Sequence, residues 1–218
     1  MNLASRLLGL PIRTAEMDPR AATGALFPVE EAALARAVPK RRSEFIAGRT
    51  CARRALAALG ERAAAIPQGE DRAPVWPPGV VGSITHTHTW CAAAVARRAD
   101  GIRALGLDLE PAEPIALELL RIVCLPEERA FIDAQPASAR GLLGRLVFSA
   151  KESAFKCQYA LTREMFGYHG MRIDLDLPAR RFVAVFQEGA GTFAAGDELA
   201  GQLLVDHGQI MTAVALAH

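Results

Sequence analysis

The chain has 218 residues, 51% of them hydrophobic and 22% charged, with a formal net charge of +1. This length and apolar content can bury a core as one domain or as two halves of roughly 100 residues, and they exclude a disordered chain. Near-neutral charge argues against a partner held by the overall field, nucleic acid above all, so any partner has to be read from local sites.

Residues 1–27 read as an irregular lead-in with short strand-like pieces, closing at Phe27-Pro28. The Ala/Leu/Arg periodicity over 30–37 and 40–59 predicts two helices, punctuated by Pro39 and stopped at Gly60. On the second, Arg42, Arg49 and Arg53 recur near one face, opposite Phe45, Cys51, Ala52, Leu56 and Leu59. A solvated helix surface would carry the same stripe, and so would a wall that meets phosphate. After a proline-rich loop, Val80 to His86 is β-branched and ends in polar residues, as a buried strand running into a site does. Cys91–Ala96 returns as its hairpin partner. His86 and His88 form an HxH pair that on a strand would turn both imidazoles to one face, which suits a transition metal or, for His86 alone, a phosphate.

Ile102 to Glu110 is an apolar strand ending in Asp108 and Glu110, which period two puts on one side. Two hard oxygen ligands suit Mg²⁺ or Mn²⁺, although a strand emerging into solvent with charged ends would look alike. Residues 114–135 read as helical, with Leu125-Pro126-Glu127-Glu128-Arg129 resembling a helix start. In the helix of 140–160, Leu143, Leu146, Val147, Ala150, Ala154 and Cys157 make an apolar stripe, and Arg145, Ser149, Glu152 and Lys156 share the opposite face. Only three of the 25 basic residues are lysines, and two of them, Lys151 and Lys156, lie here. An ammonium is a compact point charge where a guanidinium is a planar fork, so the choice hints at phosphate. A Glu152–Lys156 surface pair is the plainer reading.

Strand-like alternation follows at 171–177, 181–187, 202–205 and 210–216. Both halves set helices beside strands that end in polar residues, so a loosely duplicated α+β architecture is expected, split as 1–104 and 105–218. The cysteines at 51, 91, 124 and 157 form no CxxC pair, which fits reduced thiols used as small apolar fillers. No stretch approaches the ~18 apolar residues of a membrane span. With no export signal, a cytoplasmic chain is expected.

Taken together, Gly48-Arg49 with Ala52-Arg53-Arg54-Ala55-Leu56, Arg72-Ala73-Pro74-Val75-Trp76-Pro77, Gly82-Ser83-Ile84-Thr85-His86, Gly106-Leu107-Asp108-Leu109-Glu110 and Phe148-Ser149-Ala150-Lys151-Glu152-Ser153-Ala154-Phe155-Lys156 carry a resemblance. The chain resembles the 4′-phosphopantetheinyl transferases of the surfactin-synthetase type, most closely the enterobactin-synthase branch. The resemblance implies a pseudo-twofold pair of α/β halves with coenzyme A in the cleft between them. It also implies transfer of the phosphopantetheine arm to a serine of an acyl, peptidyl or aryl carrier protein by a monomeric enzyme.

By the same resemblance Asp108, Glu110 and Glu152 would hold Mg²⁺, or Mn²⁺ in its place. Lys156, Lys151 and His86 would meet phosphate oxygens, and Arg49, Arg53 and Arg72 the nucleotide phosphates, with Thr85 as a hydrogen-bonding neighbour. Glu128 stands where the family's proposed base does, with Glu152 or a metal-bound water as the alternatives. Thr85 and Ile84 depart mildly from the Ser and Leu frequent in the family. Two rivals are a metal-dependent hydrolase built on His86, His88 and Asp108, and a nucleotide-binding module without chemistry.

Overall fold

The computed structural model describes residues 3–9 and 11–218. It is an α+β fold that forms two compact units, one running up to Leu105 and including Ala217–His218, the other Gly106–Leu216.

In the first unit, α1 (Leu3–Leu7) and β1 (Arg13–Met17) bring order to part of the expected lead-in. β1 joins β2 (Val80–His86) and β3 (Cys91–Arg97) in an antiparallel sheet of order β1-β3-β2. Ala93 pairs with Ala15 on one side and Ile84 on the other. Small side chains at Ala15, Ala93, Ala47, Cys51, Ala52 and Ala55 let α3 (Pro39–Ala58) settle on this sheet around Leu56, Ile66 and Val95. Each such fully buried Leu or Val side chain contributes about 1.5–3 kcal/mol. The helix expected over 30–37 is shorter: α2 covers Pro28–Glu31, Ala32–Leu34 tighten into a 3₁₀ turn, and Val38 is extended because Pro39 follows it.

α2 starts in a tight knot. The Glu30 carboxylate, wholly buried, accepts from Phe27 N and Ile66 N and is gripped by Arg53 Nη1. Arg53 Nη2 then reaches Ala25 O. A glutamate at the third helical position bonding back to the residue before the helix satisfies one of the helix's orphan N–H groups, and Pro28 at the first position needs no such partner.

In the second unit an antiparallel sheet runs β4-β8-β7-β6-β5, from β4 (Ile102–Pro111), β5 (Met171–Asp176), β6 (Arg181–Phe186), β7 (Glu198–Asp206) and β8 (Gln209–Ala217). α6 (Ala137–Thr162) lies on β5, β6 and β7 and buries Leu146, Val147, Ala150, Ala154 and Cys157. The helical stretch expected over 114–135 is broken into a 3₁₀ turn at Leu117–Leu119, α4 (Leu120–Val123) and α5 (Pro126–Asp133), because extended Cys124 and Leu125 precede Pro126. All four cysteines are free and buried, and burial pushes the thiols of Cys124 and Cys157 up to about 11 and 12, as inert fillers require.

Candidate active site

Gly106 sets the geometry. A Cβ there would collide with the Ser153 carbonyl oxygen, so only glycine lets α6 approach β4 this closely. The approach brings Asp108, two residues further along β4, under α6. Lys156 Nζ lies 2.6 Å from Asp108 Oδ1 and 3.2 Å from Leu107 O, while Ser149 Oγ donates to Asp108 Oδ2 at 2.9 Å. Thr212 on β8 donates to Ser149 O and sits 2.9 Å from Ser149 Oγ. Asp108 is almost wholly buried and Lys156 is partly open. The sequence set Ser149 on an exposed polar face, but it is fully buried here because Asp108 and Thr212 close over it.

Around this pair lie the other two carboxylates. Glu110 Oε2 accepts from Arg145 Nη1 at 3.0 Å, so Arg145 is an ion-pair partner that sequence reasoning left unassigned. Burial and the charge of Asp108 hold the Glu110 carboxyl above the usual 4.5. Glu152 is raised chiefly by burial and also by Asp108, while the charge of Lys156 and the neighbouring Tyr168 hydroxyl pull it down. Tyr168, absent from the sequence reading, is itself raised by burial and by Glu152, Asp108 and Glu110. Its ring tilts against Phe148 at 5.6 Å between centroids. Glu152 and Tyr168 share the wall of a mainly apolar cavity of about 290 Å³ with Phe155, Met165, Phe166 and Met171.

Lys151 and Glu128 take a different place from the one the resemblance implies. Lys151 Nζ is buried and donates to Glu128 Oε2 at 2.7 Å, Tyr168 O at 2.8 Å and Val123 O at 2.9 Å, which uses all three of its N–H groups. Glu128 also accepts from Leu125 N and Ile173 N. This is the Glu30 knot again, with Lys151 in place of Arg53 and Ile173 in place of Ile66. Lys151 thus has no donor left over for a phosphate, and the buried Glu128 carboxylate already accepts from an ammonium and two backbone amides. Burial also lowers the proton affinity of Lys151.

On the first unit, Arg49 is buried under the Phe45 ring, 4.0 Å from its centroid, and donates through Nε to Ile66 O. Burial draws its guanidinium down to about 10. Its Nη atoms have no hydrogen-bond partner among the described residues. Arg53 is taken up by Glu30, and Arg72 is exposed on the 60–79 loop with a left-handed backbone, φ 66°. Thr85 is buried in β2. His86 ends β2 with Nε2 3.2 Å from Arg41 Nη1 and Nδ1 3.9 Å from Glu44 Oε2. His88 falls in the exposed turn beyond the strand, so the period-two argument for an HxH metal pair does not apply. Among the described residues no three His, Cys, Asp or Glu side chains are grouped closely enough to hold a metal ion. Nor is any helix among them long and apolar enough to cross a membrane.

Two family models match the chain: the 4′-phosphopantetheinyl transferase N-terminal domain over residues 29–96 and the 4′-phosphopantetheinyl transferase superfamily over 104–206. The chain is 41% identical over 196 residues to 4′-phosphopantetheinyl transferase Svp of Streptomyces mobaraensis, covering 88% of this chain and 79% of the relative. It is 36% identical to 4′-phosphopantetheinyl transferase PptT of Mycobacterium tuberculosis, covering 87% and 85%. Over 120 residues, 54% of each chain, it is 40% identical to enterobactin synthase component D of Escherichia coli.

Proposed function

We propose that this chain, which belongs to the 4′-phosphopantetheinyl transferase superfamily, moves the phosphopantetheine arm of coenzyme A onto a serine of a carrier protein with the help of Mg²⁺. The observation that carries this reading is the buried Asp108–Lys156 pair, flanked by Glu110 and Glu152, beside an apolar cavity. The carrier serine Oγ would attack the phosphorus that bears pantetheine. The bond from that phosphorus to the bridging oxygen breaks, and adenosine 3′,5′-bisphosphate leaves with the electron pair.

The charge that builds on the leaving phosphate needs fixed positive partners. Lys156 can keep its bond to Asp108 and still reach a phosphate oxygen, since Asp108 and Leu107 O take two of its three N–H groups and its side chain is partly open. The cavity lined by Phe155, Met165, Phe166 and Met171 suits the largely uncharged pantetheine arm. Arg49, with its Nη atoms uncommitted, and exposed Arg72 suit the nucleotide phosphates, and His86 and Thr85 remain candidates beside them. Glu128 is closed off, so the serine proton goes to the cavity side, where Glu152 is the carboxylate at hand.

The donor set fits Mg²⁺ by its chemistry. Asp108, Glu110 and Glu152 are hard oxygen donors, and Asp108 raises the proton affinity of both glutamates, a repulsion that a cation relieves. Mg²⁺ needs only one or two protein carboxylates when substrate phosphates complete its shell, so a three-carboxylate cage is not required. When bound, the ion would neutralise charge on the diphosphate.

The test is intact-mass analysis of an acyl, peptidyl or aryl carrier protein incubated with the protein, coenzyme A and Mg²⁺. A gain equal to the phosphopantetheine arm, lost when the acceptor serine is replaced by alanine, supports the reading. Coenzyme A consumed with no mass gain, or bound and unchanged, overturns it in favour of hydrolysis or plain binding.

A further inference from the structure

We infer that Arg145 makes cation binding at the three carboxylates depend on the substrate. By pairing with Glu110 it leaves the free chain too little negative charge there to hold a divalent ion before a diphosphate arrives. The inference deepens the reading of Asp108, Glu110 and Glu152 as the cation's ligands, and it rests on that reading.

Arg145 stands on α6 one turn before Ser149 and two turns before Glu152, on the face that reaches the end of β4. Its Nη1 donates to Glu110 Oε2 at 3.0 Å and its Nε to Glu113 O at 3.3 Å. A strap between α6 and the chain beyond β4 would need only the second bond. The first sets a guanidinium against a carboxylate of the proposed cation site. The arginine and glutamate side chains are 23% and 21% exposed, so solvent and salt screen this pair less than they would a surface pair.

Lys156 does the same to Asp108 at 2.6 Å. With all five groups ionised, three carboxylates face two cations and the set carries one negative charge in excess. A divalent ion entering the set meets both cations as well as the carboxylates, and Mg²⁺ gives up its water reluctantly. Coenzyme A changes the balance, because its diphosphate adds negative oxygens that can complete the ion's shell. Of the two cations, Lys156 still has an N–H group to offer a phosphate, whereas Arg145 is spent on Glu110 and the chain that follows it. Arg145 is therefore the residue that sets how much charge the free carboxylates present.

The experiment is a Mn²⁺ titration of the full chain without carrier protein, read by electron paramagnetic resonance of the free ion so that no turnover is needed. It is run with and without coenzyme A, and the same coenzyme A solution without protein is the baseline. The parent is expected to bind Mn²⁺ at least about tenfold more tightly with coenzyme A than without it. Arg145→Met keeps the apolar stem and loses the charge. Without coenzyme A it is expected to bind Mn²⁺ about tenfold more tightly than the parent, since a cation beside a doubly charged ion has been removed. Arg145→Lys keeps the charge and should bind as the parent does. An arginine that served only as a strap would shift both variants alike, and towards weaker binding. Arg145→Gln can still donate to Glu113 O without the charge, so it should follow Arg145→Met and replaces it if the methionine variant does not fold.

Uncharged variants that bind Mn²⁺ no more tightly than the parent in the absence of coenzyme A overturn the inference. So does an Arg145→Lys that binds as they do, or a parent that binds Mn²⁺ equally well with and without coenzyme A. A parent that binds no Mn²⁺ even with coenzyme A present overturns the metal reading itself and this inference with it. The two failures are told apart by the parent alone.

Discussion

Lys156 Nζ lies 2.6 Å from Asp108 Oδ1, an ion pair in which the aspartate side chain is 6% exposed and the lysine side chain 29%. The sequence suggested a surface pair between Lys156 and Glu152, one helical turn apart, yet the closest carboxylate comes from β4. Lys156→Met should leave Asp108 buried without its ammonium, with Ser149 still donating to it. A loss of about 1–3 kcal/mol in denaturant unfolding is expected, together with transfer reduced by orders of magnitude. Mg²⁺ should restore part of the lost stability, because a cation then replaces the missing ammonium. Parent-like transfer by the variant would remove Lys156 from the phosphate.

Glu128→Gln separates architecture from chemistry. A buried ion pair that loses one partner costs about 3–5 kcal/mol, since the other charge stays behind uncompensated. The variant should therefore unfold at much lower denaturant. Glu128→Gln combined with Lys151→Met should recover part of the deficit. A stable but inactive Glu128→Gln would return Glu128 to the role of proton acceptor.

The arginines of α3 should separate cleanly. Arg53→Met strips the buried Glu30 of its cation and should destabilise the fold by a similar ~3–5 kcal/mol. Arg49→Gln should instead weaken coenzyme A binding by about tenfold, the worth of one charge-assisted hydrogen bond. Calorimetric titration with coenzyme A and its 3′-dephospho form locates the contact. A loss seen with coenzyme A alone assigns Arg49 to the 3′-phosphate, and an equal loss with both assigns it to the diphosphate.

A pH dependence follows from Glu110 and Glu152. Both carboxyls are raised above the ordinary 4.5 in the folded chain, chiefly by burial. The folded state therefore binds protons more tightly than the unfolded one. The stabilising contribution is fully present below 4.5 and is lost as pH rises through the raised values. Without Mg²⁺, the stability of the parent relative to Glu152→Gln should fall as pH rises from about 4 towards neutrality. A difference that stays flat across that range would show that Glu152 is not held in this environment.

Gly106→Ala tests the closeness of β4 and α6. The added methyl meets backbone, which cannot rotate away, so α6 has to shift. A cost of about 1–3 kcal/mol or more is expected, and loss of transfer should exceed what the lost stability explains, because Lys156 moves with the helix. The melting temperature and the transfer rate measured on one preparation check both parts.

Much of the second unit could be read from spacing. Period two placed Asp108 and Glu110 at the end of a strand, and the apolar stripe of α6 fell where Leu146, Val147, Ala150, Ala154 and Cys157 are buried. The roles of the two lysines could not be read that way. Periodicity describes one helix face at a time, whereas Lys151 is claimed by Glu128 from α5 and by the carbonyls of Val123 and Tyr168. The X-Pro-x-Glu pattern was the available signal for that: Phe27-Pro28-Val29-Glu30 and Leu125-Pro126-Glu127-Glu128 both spell a helix start whose glutamate turns back on itself. Arg53 was misjudged for the same reason, since a stripe on a helical wheel does not reveal a buried carboxylate 23 positions earlier in the chain. Tyr168 carried no signal at all, because a single tyrosine in a short connection has no period.

The matching knots at Glu30 and Glu128 amount to a control built into the molecule. One sits beside the three carboxylates and the other in the unit that has none of them, yet both join a helix start, an isoleucine amide and a cation from the long helix. The first knot forms in a unit that holds none of the three carboxylates, so the recurrence of the motif beside Asp108 and Glu152 needs no chemical explanation. What is particular to the second knot is the ammonium. Its third donor points beyond the knot to Tyr168, where Arg53 spends its spare donor on Ala25.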